Sequence, residues 1–197
     1  GGAEEGLAKN ADAAVALAEK IDGPVALKIQ SPDVLHKTEA GGLALNLGSA
    51  EEVRAAYGNV MHAATDQTHG VLVQAMAPKG HEMIIGINYD ATFGPMLMLG
   101  FGGIHVEVTP DIAMAPVPMD KTAASDLLDR LRGRPLLDGV RGDGPADVGA
   151  LLDLVVKLSC FAADHGDVIG ELDLNPVLVH PKGDGVSVVD ALLVKRK

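Results

Sequence analysis

Hydrophobic spacing divides this chain into two blocks of different texture. In the first, Ala14, Leu17, Ala18 and Ile21 recur at helical intervals behind Asn10, a good cap residue, so a helix is expected from Ala11 to Ile21. Lys20 in its last turn suits the negative end of the helix dipole. Pro24 then opens an alternating strand, Val25 to Gln30, with Val25, Leu27 and Ile29 on one side and Ala26, Lys28 and Gln30 on the other. After a polar, small-residue loop from Ser31 to Gly42, a second strand runs through Leu43, Leu45 and Leu47. Ser49-Ala50-Glu51-Glu52 reads as a capping box ahead of a helix that carries Val53, Ala56, Tyr57 and Val60. Up to about His69 the pattern is that of a small α+β unit.

The second block is richer in strands. Val71 to Met76, Glu82 to Tyr89, Pro95 to Phe101 and Ile104 to Thr109 are short apolar or alternating runs set off by Gly, Pro and Asp. Two helices interrupt them, one from a cap at Asp120 through Leu127, Leu128 and Leu131, the other from Pro145 through Leu151, Leu152, Val155 and Leu158. Glycines 100, 102 and 103 are not enclosed by a βαβ unit, so a dinucleotide loop is not expected, and a helix-covered sheet fits better than a Rossmann sheet.

The last strand pair carries the most chemistry. In Gly170-Glu171-Leu172-Asp173-Leu174-Asn175-Pro176, strand parity sends Leu172 and Leu174 inward and places Glu171, Asp173 and Asn175 on one surface. If the hairpin that follows is centred near Lys182 and Gly183, Asp190 falls opposite Asn175. Hard cations such as Mg²⁺ take carboxylate and amide oxygens, with water and phosphate completing the shell. The competing structural reading is a polar, solvated strand face.

Composition narrows the class of protein. With 197 residues, 47% hydrophobic and 22% charged, the chain folds rather than staying disordered, and it is long enough for one domain or two subdomains. Aromatic residues are 3%, so the core is aliphatic. A formal charge of −11 argues against a nucleic-acid surface, though not against a local basic pocket for phosphate. One cysteine, Cys160, allows no internal disulfide, and no run has transmembrane or signal-peptide character, which points to the cytoplasm and away from a membrane. The abrupt opening, Gly1-Gly2-Ala3-Glu4-Glu5, reads as the edge of a longer polypeptide or of a subunit.

Other constellations gain meaning together. Lys28 lies inside an apolar strand, either as an ammonium for phosphates or as an exposed strand lysine. In the loop from Ser31 to Gly42, His36 offers a hydrogen-bond donor or a phosphoryl-carrying nucleophile, Lys37 a cation, and Gly41-Gly42 a backbone that phosphate can approach. An ordinary turn with an exposed histidine is the alternative. The strand end at Gln74-Ala75-Met76 can offer backbone hydrogen bonds to an adenine edge, Met76 an apolar wall and Glu82 an acceptor for ribose hydroxyls. Gly100-Phe101-Gly102-Gly103 reads as a close backbone wall beside phosphate or as a tight strand connection, and Asp90 and Asp111 as turn or cap residues.

These blocks resemble a known family. Pro24 to Lys28, Ser31-Pro32 through His36-Lys37 to Gly41-Gly42, Gly80 to Gly86, Phe93-Gly94-Pro95, Gly100 to Gly103 and Glu171 to Pro176 look like the ATP-grasp domain of NDP-forming acyl-CoA synthetases. The likeness runs from about Asp12 onward and is similar to the beta subunit of ADP-forming acetyl-CoA synthetase and, more distantly, of succinyl-CoA synthetase. It implies an α+β ATP-grasp fold, with a subdomain over 1–70, truncated at its start, a second over 71–197, and ATP or ADP in a cleft between them. By the resemblance, Lys28, Lys37, Gly41 and Gly42 meet phosphates, Gln74, Met76 and Glu82 meet adenine and ribose, and Asp173, Asn175 and Asp190 hold Mg²⁺. His36 then relays phosphoryl groups to ADP, with Lys37 beside it, and CoA-binding and ligase domains or subunits are the expected partners. The sequence departs from the family in lacking an arginine shortly after Asp111 and a basic residue after Asp190-Ala191. A carboxylate–amine ligase, or a nucleotide-sensing module of a fused protein acyltransferase, are the alternatives.

Overall fold

The computed structural model of the chain describes residues 4–34, 37, 40–78, 80–90, 92–103, 111–139 and 144–196. They form two compact units, 1–77 and 78–197.

In the first unit, β1 (Glu5–Ala8), β2 (Val25–Gln30), β3 (Leu43–Leu47) and β4 (Gly70–Ala75) make an antiparallel sheet in the order β1-β4-β2-β3. Helices α1 (Ala11–Ala18) and α2 (Ala50–Val60) pack on it. Asn10 caps α1 by accepting from the Ala13 N–H at 2.8 Å. At α2 the expected capping box is present: Glu52 N–H donates to Ser49 Oγ and Ser49 N–H donates to Glu52 Oε2. Val25, Leu27, Ile29, Val71 and Val73 meet Ala14, Val53, Ala56, Tyr57 and Val60 in one apolar core.

The sequence expectation opened the second block at residue 71. In the structure β4 pairs with both β1 and β2, so it completes the first sheet, and the division falls after Ala77.

The second unit is built on β5 (His81–Asp90), β6 (Gly94–Phe101), β7 (Ile112–Pro116), β8 (Ile169–Val179), β9 (Val186–Val188) and β10 (Ala191–Lys195). The strand order is β10-β8-β5-β6-β7, with β9 also on β8. Helices α3 (Lys121–Asp129) and α4 (Val148–Asp164), capped by Asp120 and Asp147, bury Leu127, Leu128, Leu151, Val155 and Leu158 against Met83, Ile85, Leu97, Leu99, Leu172 and Leu174. Strand β7 was not anticipated, because Ile112-Ala-Met-Ala-Pro is short, alanine-rich and stopped by proline. The strand expected at 104–109 lies outside the described residues. No helix among the described residues is long and apolar enough to cross a membrane.

Candidate functional site

Each sheet has one face buried under its helices, and Lys28, Gln74, Glu82 and Asp173 fall on the other. In β2, Val25, Leu27 and Ile29 enter the helix-covered core while Lys28 points the opposite way. Lys28 pairs across the sheet with Leu72 and Leu43, and Gln74 occupies the same face of β4, opposite Ala26. The structure therefore brings Lys28 and Gln74 together. Lys28 is only 5% exposed, which removes the reading of a solvent-facing strand lysine. An ammonium at that depth requires polar or anionic surroundings.

Gln74 Nε2 donates to Glu5 Oε2 at 2.9 Å. The N–H groups of Ala75 and Met76 already donate to Glu4 O and Pro24 O, so they are not donors for an adenine edge. Met76 itself is half-buried at the end of the first unit.

The loop after β2 is tied at both ends. Val34 N–H donates to Ser31 O, and Ser31 Oγ lies 2.9 Å from Thr65 Oγ1. At the far end Gly42 N–H donates to Lys37 O at 2.7 Å, and Gly42 O accepts from Ile29 N–H. A Cβ on Gly42 would overlap Ile29 Cγ2. Gly42→Ala is accordingly expected to destabilise the first unit by about 1–3 kcal/mol through overpacking, read as a lower urea midpoint. Lys37 is half-buried and Gly41 exposed, while His36 lies outside the described residues.

In the second unit, Met83, Ile85 and Ile87 enter the core, so Glu82, Ile84 and Gly86 lie on the opposite face of β5. Asp173 stands opposite Gly86 there, with Leu172 and Leu174 buried beneath. Glu82 is exposed, its carbonyl accepts from Gly102 N–H at 2.7 Å, and a Cβ on Gly103 would come 3.2 Å from Glu82 Oε2. Gly103 has a positive φ of +89°, the backbone region that favours glycine, and the segment 104–110 that follows lies outside the described residues. Asp90 and Asp111 hold backbone as expected: Asp90 accepts from Thr92 and Phe93, and Asp111 from Arg132 and Gly133.

The terminal strand pair has the register read from the sequence. Val179 pairs with Val186, Val177 with Val188 and Leu174 with Ala191, which centres the turn between Lys182 and Gly183. Asp190 consequently sits opposite Asn175, and Asn175 N–H donates to Asp190 O at 3.1 Å. A register shift between β5 and β8 falls at Asn175–Pro176, where buried positions switch from Leu172 and Leu174 to Val177 and Val179. Such bulges re-aim side chains next to functional sites.

Asp173, Asn175 and Asp190 thus supply two carboxylates and an amide oxygen on one face of a strand pair, partly open to solvent. Among the described residues no group of three His, Cys, Asp or Glu side chains is placed to hold a metal. The set fits a hard cation whose shell is completed by water and phosphate, not a closed protein cage.

One important residue escaped the sequence reading. Asp147 caps α4 and also accepts from Gly183 and Gly185. The Ala150 N–H foremost, then those of Gly183 and Gly185, hold its carboxyl below the usual carboxylate range. Only the order Pro145-Ala-Asp-Val-Gly-Ala150 signalled a cap there.

Comparison with known proteins adds the lineage. The ATP-grasp domain family matches residues 2–194. The beta subunit of acetate–CoA ligase [ADP-forming] II from Pyrococcus furiosus is 39% identical over 196 residues, covering 97% of this chain and 83% of that subunit. Acetate–CoA ligase [ADP-forming] I of Archaeoglobus fulgidus is also 39% identical, and there the match covers 96% of this chain but 28% of the relative. Among solved structures, dinucleotide-forming acetyl-coenzyme A synthetase 1 of Ca. Korarchaeum cryptofilum, in complex with coenzyme A and Mg-AMPPCP and with its phosphohistidine segment pointing towards the nucleotide binding site, superposes with a TM-score of 0.81 at 37% identity. That match covers 98% of this chain and 84% of the solved one. Fold, motif order and identity over nearly the whole length agree: this chain belongs to the ATP-grasp family.

Proposed function

We propose that the chain is the nucleotide-handling module of an ADP-forming acyl-CoA synthetase, an acid–thiol ligase that interconverts acyl-CoA, phosphate and ADP with the free acid, CoA and ATP. The observation that carries this reading is the oxygen set Asp173, Asn175 and Asp190 on the helix-free face of the second sheet. The names of the relatives, acetate–CoA ligases, and the Mg-AMPPCP bound in the solved structure support it.

In this reading Lys28 and Lys37 bind the phosphates, the Gly41-Gly42 backbone approaches them, and Gln74, Met76 and Glu82 serve adenine and ribose. Asp173, Asn175 and Asp190 hold the Mg²⁺ of the nucleotide. When bound, that ion neutralises phosphate charge during in-line transfer. His36 receives a phosphoryl group at an imidazole nitrogen from a partner's phosphohistidine and passes it to the terminal oxygen of ADP, the imidazole leaving neutral. CoA-binding and ligase domains, in the same polypeptide or as a separate subunit, supply the acyl chemistry, and the setting is cytoplasmic. Acetate is the acid named for several relatives, but 4-hydroxybutyrate and ferulate are named for others at 40% and 41% identity, so the acid is set by those partners.

A ligand that binds only the folded state stabilises it by mass action. Mg²⁺-ADP at a hundred times its dissociation constant is expected to raise the melting temperature by about 5–10 °C in a chain of this size. A melting temperature unmoved by ADP or ATP at millimolar concentration would count against the assignment.

A further inference from the structure

One carboxylate joins the start of α4 to the turn between β8 and β9. Asp147 Oδ1 accepts from Ala150 N–H at 3.1 Å, and Oδ2 accepts from the N–H groups of Gly183 and Gly185, each at 3.0 Å. Both glycines have positive φ, +100° and +78°, a backbone conformation that side-chain-bearing residues rarely adopt. That conformation turns two nearby N–H groups toward a single acceptor. Around them, Asp147 N–H donates to His180 O, Lys182 N–H donates to Pro145 O, and Ala146 bridges Pro181. His180 is 4% exposed, and its Nε2 lies 2.8 Å from Ser187 Oγ on β9.

This junction lies at the point that sets the register of everything after it. A hairpin's register follows from its turn, and a slip of one residue moves every following side chain to the other face. With the turn centred between Lys182 and Gly183, Asp190 comes opposite Asn175; displaced by one residue, its carboxylate would leave the face of Asp173 and Asn175. We propose that Asp147 is a positioning residue for the Asp173, Asn175 and Asp190 oxygen set, gripping the Gly183 and Gly185 backbone so that Asp190 is held on the ligand face. The proposal rests on reading those three residues as the metal site. Asp147 touches no substrate; it acts through the turn.

The test separates the coupling from the chemistry. The N–H groups of Asn175 and Val189, which donate to Asp190 O and Pro176 O, report the register directly through hydrogen exchange in the full, ligand-free chain. Asp147→Ala is expected to speed exchange at these two amides about tenfold, the scale of losing a hydrogen bond to a charged acceptor, with amides of β2 and β4 unchanged. Asp147→Asn preserves shape and removes charge, and is expected to give a smaller rise, which keeps the test available if the alanine variant unfolds. Affinity for Mg²⁺-ADP should fall about tenfold in Asp147→Ala while ADP affinity in EDTA holds, and the double variant with Asp190→Asn should bind Mg²⁺-ADP no more weakly than Asp190→Asn alone. Unchanged exchange in both Asp147 variants, or fully additive losses in the double variant, would overturn the positioning role. Faster exchange with wild-type Mg²⁺-ADP affinity in Asp190→Asn would instead overturn the metal reading, and the positioning role with it.

Discussion

In the complete enzyme, His36→Asn is expected to abolish phosphoryl exchange with ADP while leaving nucleotide affinity close to that of the unsubstituted protein. Asparagine can still donate a hydrogen bond to a bound phosphate, but its amide cannot take and release a phosphoryl group as an imidazole does near neutral pH. The variant therefore distinguishes a relay from a simple phosphate contact. The readout is isotope exchange between ATP and ADP in the presence of the partner that donates the phosphoryl group. Undiminished exchange would rule out the relay and leave the ATP-grasp membership standing.

The second large effect is expected at the terminal strand pair. Asp190→Asn removes one of two carboxylates from the oxygen set and leaves an amide of the same shape. Changes around a metal site typically cost 10–100-fold even when they leave the direct ligands in place, so loss of a charged ligand is expected to weaken Mg²⁺-nucleotide binding by about a hundredfold. Asp190 is only partly buried; the hydrogen bond from Asn175 N–H goes to its backbone oxygen, and the one from Ala191 N–H to Oδ1 at 3.1 Å is of a kind an asparagine side-chain oxygen also accepts. The metal-free melting temperature should therefore shift little. Equal loss of stability and of affinity would mean that Asp190 serves the fold and not the ion.

Asp147 adds a dependence on pH with a definite sign. Its folded carboxyl is held below the ordinary value of 3.8, so the stability it contributes is fully present above that value and is lost as pH falls through the lowered folded one. Acid unfolding of Asp147→Asn should lack this part of the pH dependence.

Much of the site was legible because strand parity and turn position are local properties. Alternation alone separated Lys28 from the Val25, Leu27 and Ile29 core, and Asp173 from Leu172 and Leu174. The turn residues from Pro181 to Gly185 sufficed to place Asp190 against Asn175, and Ser49 with Glu52 announced the start of α2. What stayed hidden depends on contacts distant in sequence. The side on which β4 pairs is decided by β1 and β2, so the division between units could not be read at residue 70 or 77 from local pattern. The donors of Ala75 and Met76 are taken by Glu4 and Pro24, some 50 to 70 residues away. Asp147 meets Gly183 and Gly185 across the second unit, and a helix cap in sequence gives no hint of such a second partner. Gly100 to Gly103 left a phosphate wall and a strand connection both open, because local sequence does not say what a missing Cβ makes room for.

Calorimetric titration of ADP into the full chain, once with Mg²⁺ and once with EDTA, decides whether the chain holds a metal-dependent nucleotide site. Saturable binding near one nucleotide per chain is expected, markedly tighter with Mg²⁺, with loss of that metal-dependent gain in Asp190→Asn. Absence of adenine-nucleotide binding to the folded chain, or binding that Mg²⁺ leaves unchanged, would contradict it.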